Sequence, residues 1–139
     1  MRQALQLGIG SACLFEPATA DVLAWLRAID IFALPSLSEA LSNSLMEAMA
    51  CGCCAVASRV GGNPELVSHG GTGLLFEPGN SGDLAEQLRA VVEDATLRED
   101  LARAGAASIA ANYSIPVSIG RLQHIYESLL RYPESDTRR

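Results

Sequence analysis

Three short apolar runs, at 30–34, 53–57 and 74–76, alternate with stretches whose apolar residues recur at helical spacing. Strand-length runs that are apolar throughout suit strands covered on both faces, and helical stretches between them imply βαβ crossovers. The chain therefore reads as α/β, a Rossmann-like parallel sheet with flanking helices. In such sheets ligands bind beyond the carboxyl ends of the strands, often at a helix N-terminus. Here that places a site on the loop 36–43 and on the turn 59–63.

The punctuation supports these elements. The stretch 11–15 reads as a short strand broken by Pro17, and Thr19 as the N-cap of a helix carrying Val22, Leu23, Trp25, Leu26 and Ile29. Pro35 closes the strand at 30–34. A helix over about 43–51 turns Leu45, Met46 and Met49 inward, and Gly52 sits where a left-handed C-terminal cap is wanted. Asn63 reads as a cap ahead of Pro64, and the helix after Ser81 carries Leu84, Leu88, Val91 and Val92 on one side. Helical spacing then continues over 96–112 and 116–131, and the tail 133–139 is polar and expected to fray.

Composition narrows the function. The chain has 139 residues, 49% of them hydrophobic, enough for one domain with a real core but short for an enzyme that binds two substrates. Its net charge is −6 and its ten basic residues, all Arg, form no cluster, so no nucleic-acid partner is expected. No apolar run approaches the roughly 20 residues of a membrane helix, and a cytoplasmic protein is expected. Cys13, Cys51, Cys53 and Cys54 lack zinc-site spacing and read as small packed side chains. No Gly-x-Gly-x-x-Gly run follows a first strand, which argues against a dehydrogenase.

Glu39 lies in the loop beyond a buried strand, and Glu47 follows eight positions later in the next helix. Between them Ala40, Leu41, Ser42, Asn43 and Ser44 bring backbone N–H groups to a helix start, where unpaired donors and the dipole attract an anion such as a diphosphate. A carboxylate only accepts hydrogen bonds, so it suits the vicinal hydroxyls of a ribose or hexose. Spacing alone leaves two readings open. Ser44-Leu45-Met46-Glu47 also fits a capping box that would fold Glu47 back on its own helix, and Glu39 could be a solvated loop acid.

The run Leu34-Pro35-Ser36-Leu37-Ser38-Glu39-Ala40-Leu41-Ser42-Asn43-Ser44-Leu45-Met46-Glu47-Ala48-Met49-Ala50-Cys51-Gly52 resembles the signature of the retaining glycosyltransferase family GT4, which includes sucrose-phosphate synthases and many bacterial hexosyltransferases. Val60-Gly61-Gly62-Asn63-Pro64-Glu65-Leu66-Val67 and Gly71-Thr72-Gly73-Leu74-Leu75-Phe76 resemble it too, and the likeness covers roughly 11–130. It implies the C-terminal, donor-binding domain of a GT-B enzyme, truncated at its N-terminal side, over 1–132. Glu39 would be the first glutamate of the E-x7-E motif, against the transferred sugar and catalytic. Glu47 would be the second, on the ribose hydroxyls. Donor contacts would come from Glu39, Leu41, Ser42, Asn43, Ser44, Leu45 and Glu47. The donor would be a nucleotide-diphosphate sugar, with no cofactor and no metal. Gly61 and Gly62 read mainly as a tight structural turn.

Three departures qualify that likeness. Ala40 stands where the family usually has Gly. The chain has no Lys, whereas the family neutralises the leaving diphosphate with an Arg and a Lys from an earlier strand and helix. An N-terminal acceptor-binding domain is also missing. The isolated chain is therefore expected to bind donor weakly and to transfer sugar poorly or not at all. The alternative is a non-catalytic module that binds a nucleotide or a protein. His69 and His124 read as structural. The last helix carries Leu122, Ile125, Tyr126 and Leu129 as a stripe. In the family it helps join the two domains; alone it would suit a homodimer. A full-length member could lie peripherally on the inner membrane against a lipid or polysaccharide acceptor.

Overall fold

The computed structural model describes residues 1–131, so the tail expected at 133–139 lies outside the described residues. In chain order the elements are α1 (Arg2–Gln6), a 3-10 turn (Gly10–Ala12), α2 (Val22–Ala28), β1 (Ile31–Leu34), α3 (Asn43–Ala50), β2 (Cys54–Ser58), α4 (Asn63–Leu66), β3 (Leu74–Phe76), α5 (Ser81–Glu93), α6 (Ala95–Tyr113) and α7 (Ile115–Leu130). The three strands form one parallel sheet in the order β1-β2-β3, with Leu34 opposite Ala57 and Ser58 opposite Phe76. As expected, α3 and α4 are the crossovers.

All five residues of β2 are buried, and the alternation along it feeds two cores. Ala55 and Ala57 pack with Leu45, Met49, Leu66, Val67, Leu75 and Ile109; Cys54 and Val56 pack with Leu74, Phe76, Val91 and Leu101. Helix α6 serves both, through Leu101 on one side and Ile109 on the other. Between them Gly105 lets the helix lie on the turn before β3, since a Cβ there would come within 2.8 Å of the Thr72 carbonyl oxygen and 3.3 Å of Met49 Cε. Gly105→Ala should cost about 1–3 kcal/mol of stability by overpacking, read as a lower urea midpoint with unchanged slope.

Caps account for most helix starts. Asp21 accepts from the Ala24 amide, Asn80 from Gly82 and Asp83, and Asp94 from Leu97 while it also ends α5. Gly52 takes φ +87° just past α3, as anticipated. Past β3, the Glu77 amide donates to Asp83 Oδ2 at 2.7 Å and the Gln87 side-chain amide to Oδ1 at 3.0 Å, and these bonds hold the Asp83 carboxyl below its ordinary range. A carboxyl whose folded-state value is depressed stabilises the fold above its unfolded value, and that contribution disappears as pH falls through the folded one. Asp83→Asn should therefore melt earlier than the unmutated chain at pH 7. The difference should begin to shrink below about pH 4 and vanish in stronger acid, as scanning calorimetry across pH would show.

Several expectations need correction. No strand forms over 11–15: a 3-10 turn occupies its start, and Leu14 is 76% exposed, with no neighbouring strand to pair. Thr19 is not the cap of α2; its hydroxyl accepts from the amide of Asp21, which is the cap. Val92 is exposed rather than part of the α5 face, since the helix turns Val91 inward and carries Val92 about 100° away. Asn63 does not cap α4. Gly62 holds that position, and the Asn63 side chain turns into the interior.

Helix α7 buries none of its residues. Ile115, Ile119, Leu122, Tyr126 and Leu129 follow one another at steps of four, three, four and three, the spacing of a coiled-coil seam, and all are exposed. Among the described residues strand β1 is hydrogen-bonded only to β2.

Candidate functional site

The loop that carries Glu39 leaves the carboxyl end of β1 and enters α3. Ser42 caps that helix: its hydroxyl accepts from the Leu45 amide at 3.3 Å and lies 3.1 Å from the Ser44 hydroxyl. The cap excludes the capping-box reading of Glu47. With Ser42 as N-cap, Leu45 and not Glu47 stands at the third helical position, so the Ser44 capping box does not form. The Glu47 carboxylate is exposed on the second turn, about 7.5 Å along the axis from the cap.

Two open hollows meet at Glu47. One, of about 600 Å³, runs between α3 and the α6–α7 junction and is lined by Asn43, Met46, Glu47, Ile109 and Tyr113. The other, of about 430 Å³, lies between α2 and α3 and is lined by Asp21, Val22, Leu23, Leu26 and Glu47. Among the described residues no salt bridge engages Glu39 or Glu47. Arg59, beyond β2, pairs with Glu77 at 3.2 Å and supplies no charge to either.

The helix start divides the other expected site residues. Leu45 is fully buried and its amide is taken by the cap, and Ser42 is itself buried. Leu41, Asn43 and Ser44 are exposed, and the amides of Leu41, Ser42, Asn43 and Ser44 donate to no acceptor among the described residues. These are the orphan donors that the first turn of a helix presents to an anion. Ala40, in the family's glycine position, is exposed, so its methyl group displaces nothing in the core.

Glu39 is half-buried and held: the Ser36 hydroxyl donates to its Oε1 at 2.7 Å. The Ser36 carbonyl in turn accepts from the Ser58 hydroxyl at 2.7 Å. From the opposite side, Gly61, at φ +51°, lies so close to the Glu39 carbonyl that a Cβ would sit 1.7 Å from its oxygen, and the Gly62 amide donates to the Ala40 carbonyl. Sequence reasoning saw the glycines as a turn; it did not see what the turn touches. The only signal of Ser58 is a polar residue ending an otherwise apolar strand.

His69 is structural, its Nδ1 accepting from the Leu75 amide at 2.9 Å. Burial pushes the Cys53 thiol up and the Cys54 thiol to about 11, which keeps both protonated and unreactive at neutral pH. Among the described residues no three His, Cys, Asp or Glu side chains gather as a metal set, and no helix is long and apolar enough to cross a membrane.

A parallel sheet with a carboxylate-bearing loop and unpaired helix-start amides beyond its carboxyl edge defines a Rossmann-like α/β domain, the class that receives ligands at that edge. The chain belongs to the glycosyl transferases group 1 family, whose model matches residues 1–108. It is 42% identical over 91 residues to a D-inositol 3-phosphate glycosyltransferase of Pseudarthrobacter chlorophenolicus, covering 65% of this chain and 22% of that protein. It is 31% identical to an N-acetyl-alpha-D-glucosaminyl L-malate synthase of Bacillus anthracis, over 90% of this chain and 33% of the relative. The chain thus spans a third or less of these relatives. Among solved structures, Anabaena HepE in complex with UDP superposes with a TM-score of 0.84 at 30% identity, over 94% of this chain and 35% of that one. The C-terminal domain of a group 1 glycosyltransferase (LpcC) from Francisella tularensis superposes at 0.74 with 28% identity, over 82% of this chain and 60% of that domain. The fold is that of the GT-B C-terminal domain.

Proposed function

We propose that the chain is the donor-side part of a retaining glycosyltransferase that moves a hexosyl group from a nucleoside-diphosphate sugar to an acceptor hydroxyl. The observation that carries this is the helix start itself: free amides at Leu41, Ser42, Asn43 and Ser44 stand between the Glu39 carboxylate and an exposed Glu47. The amides and the α3 dipole receive the diphosphate, Glu39 accepts from hydroxyls of the sugar, and Glu47 accepts from the ribose at the mouth of the flanking hollows. Relatives support the ligand class: HepE is described with UDP and with UDP-glucose.

In this reading bond breaking puts negative charge on the leaving diphosphate and cationic character on the sugar, while the acceptor hydroxyl attacks the face the diphosphate leaves. The chain's contribution is positioning and electrostatic stabilisation at the leaving side. Leu45 contributes only if the Ser42 hydroxyl gives up its amide, so the amides of Leu41, Ser42, Asn43 and Ser44 are the principal diphosphate contacts. Basic residues from an earlier strand and helix of the same domain, together with an acceptor-side domain, complete the site. By itself the chain binds donor weakly and transfers sugar poorly or not at all.

Titration with UDP, ADP, GDP and dTDP and their glucose conjugates tests this. One nucleotide should bind the unmutated chain, and Glu47→Ala should weaken it by about tenfold or more, the worth of a hydrogen bond to a charged group. Equal affinity for both proteins would remove Glu47 from the site. If the unmutated chain itself released sugar from the donor at an enzyme's rate, the half-site reading would be wrong.

The apolar seam of α7 is the surface a second domain would cover. In its absence two copies of this chain pair along it, and the uncharged flanking residues Ser118, Gln123 and Ile125 put no like charges across such a pair. Light scattering should find a dimer at micromolar concentration that Ile119→Glu with Leu122→Glu converts to monomer, while circular dichroism stays unchanged.

A further inference from the structure

We propose that Ser58 and Asn63 are positioning residues which, through Ser36, set the place of the Glu39 carboxylate. The inference rests on the reading of Glu39 as the sugar-facing group and adds what holds it. Ser58 closes β2 and is fully buried; its hydroxyl donates to the Ser36 carbonyl at 2.7 Å, and its own carbonyl accepts from the Asn63 side-chain amide at 3.0 Å. Ser36 then passes the constraint on by donating from its hydroxyl to Glu39 Oε1 at 2.7 Å.

Each link has a reason to be where it is. A fully buried hydroxyl at the end of an otherwise apolar strand is costly unless bonded, and the bond it makes goes to the Glu39 loop rather than to its own strand's ladder. Asn63 is equally buried, and its Oδ1 has no partner among the described residues. A side chain that leaves its acceptor unmet while its donor reaches Ser58 is placed for that donor. The glycines make the approach close enough: a Cβ at Gly62 would lie 2.5 Å from the Ala40 carbonyl oxygen, and the one at Gly61 would overlap Glu39. The turn after β2 is thus a mould for the loop after β1, and the carboxylate is held by two strand ends instead of by a mobile loop. A sugar hydroxyl then meets an acceptor already in place, so less ordering is left to binding.

The measurement is the ratio of affinities for a nucleoside diphosphate and for its glucose conjugate, on the same panel as above. Ser58→Ala and Ser36→Ala should each reduce the preference for the conjugate by about threefold to tenfold while leaving the affinity for the diphosphate unchanged. Ser36→Thr, which keeps the hydroxyl, should restore it. In a Glu39→Ala background Ser58→Ala should change the ratio no further. An unchanged ratio in a folded Ser58→Ala chain, or an equal loss with and without Glu39, overturns the proposal. The second readout requires no ligand: three-bond NMR couplings of Glu39 should show one side-chain rotamer in the unmutated chain and averaging in Ser58→Ala and in Asn63→Ala. A single rotamer in both variants also overturns it. Should no nucleotide bind the unmutated chain, the donor reading falls, while the couplings still decide what holds Glu39.

Discussion

Everything at the candidate site depends on β2 being hydrogen-bonded on both edges and buried on both faces. Its small residues let helices approach on either side, and its place between β1 and β3 brings the ends of the three strands together. The loop after β1 and the turn after β2 therefore emerge side by side, as parallel pairing requires of strands in register. The contacts of Ser58, Gly61 and Gly62 with the Glu39 loop follow from that adjacency. A glutamate on an isolated loop would be an unremarkable solvated acid; beside this turn it becomes a fixed acceptor.

The chain spans a third or less of the curated relatives it matches. The features of the proposed donor site lie together, with a capped helix, unpaired amides, a held Glu39 and an exposed Glu47, and among the described residues Arg59, beyond β2, is tied to Glu77. The LpcC C-terminal domain it superposes on is longer, as are the HepE chain and the curated relatives. Among the described residues strand β1 is bonded on one edge only, and the apolar seam of α7 is exposed. In the proposed reading these groups place a donor, and stabilising the departing diphosphate needs positive charge from elsewhere.

Much of the fold was legible because it follows local periods. Apolar runs bounded by Pro35 and Gly52 gave β1, α3 and β2 to within a residue or two, and Asn80 and Asp94 cap their helices by short-range bonds. The failures are instructive. The run 11–15 has strand composition, but composition cannot supply a neighbour to pair with. Ser42 and Ser44 are both plausible caps, and choosing between them depends on where β1 delivers the chain. Asn63 precedes a proline in a pattern that suits a cap, yet a buried carbonyl at Ser58 competes for its side chain and wins.

The sequence by itself determined that the chain is α/β, that Glu39 and Glu47 stand eight positions apart around a helix start, and which family that spacing resembles. These are properties of residue order. Tertiary structure decided the rest: that Glu47 is free of its own helix, that Leu45 is committed to the cap, and that Glu39 is gripped through Ser36 by Ser58, 22 positions beyond Ser36. Hydrogen bonds across that distance have no period to read, because they exist only once two strands lie side by side.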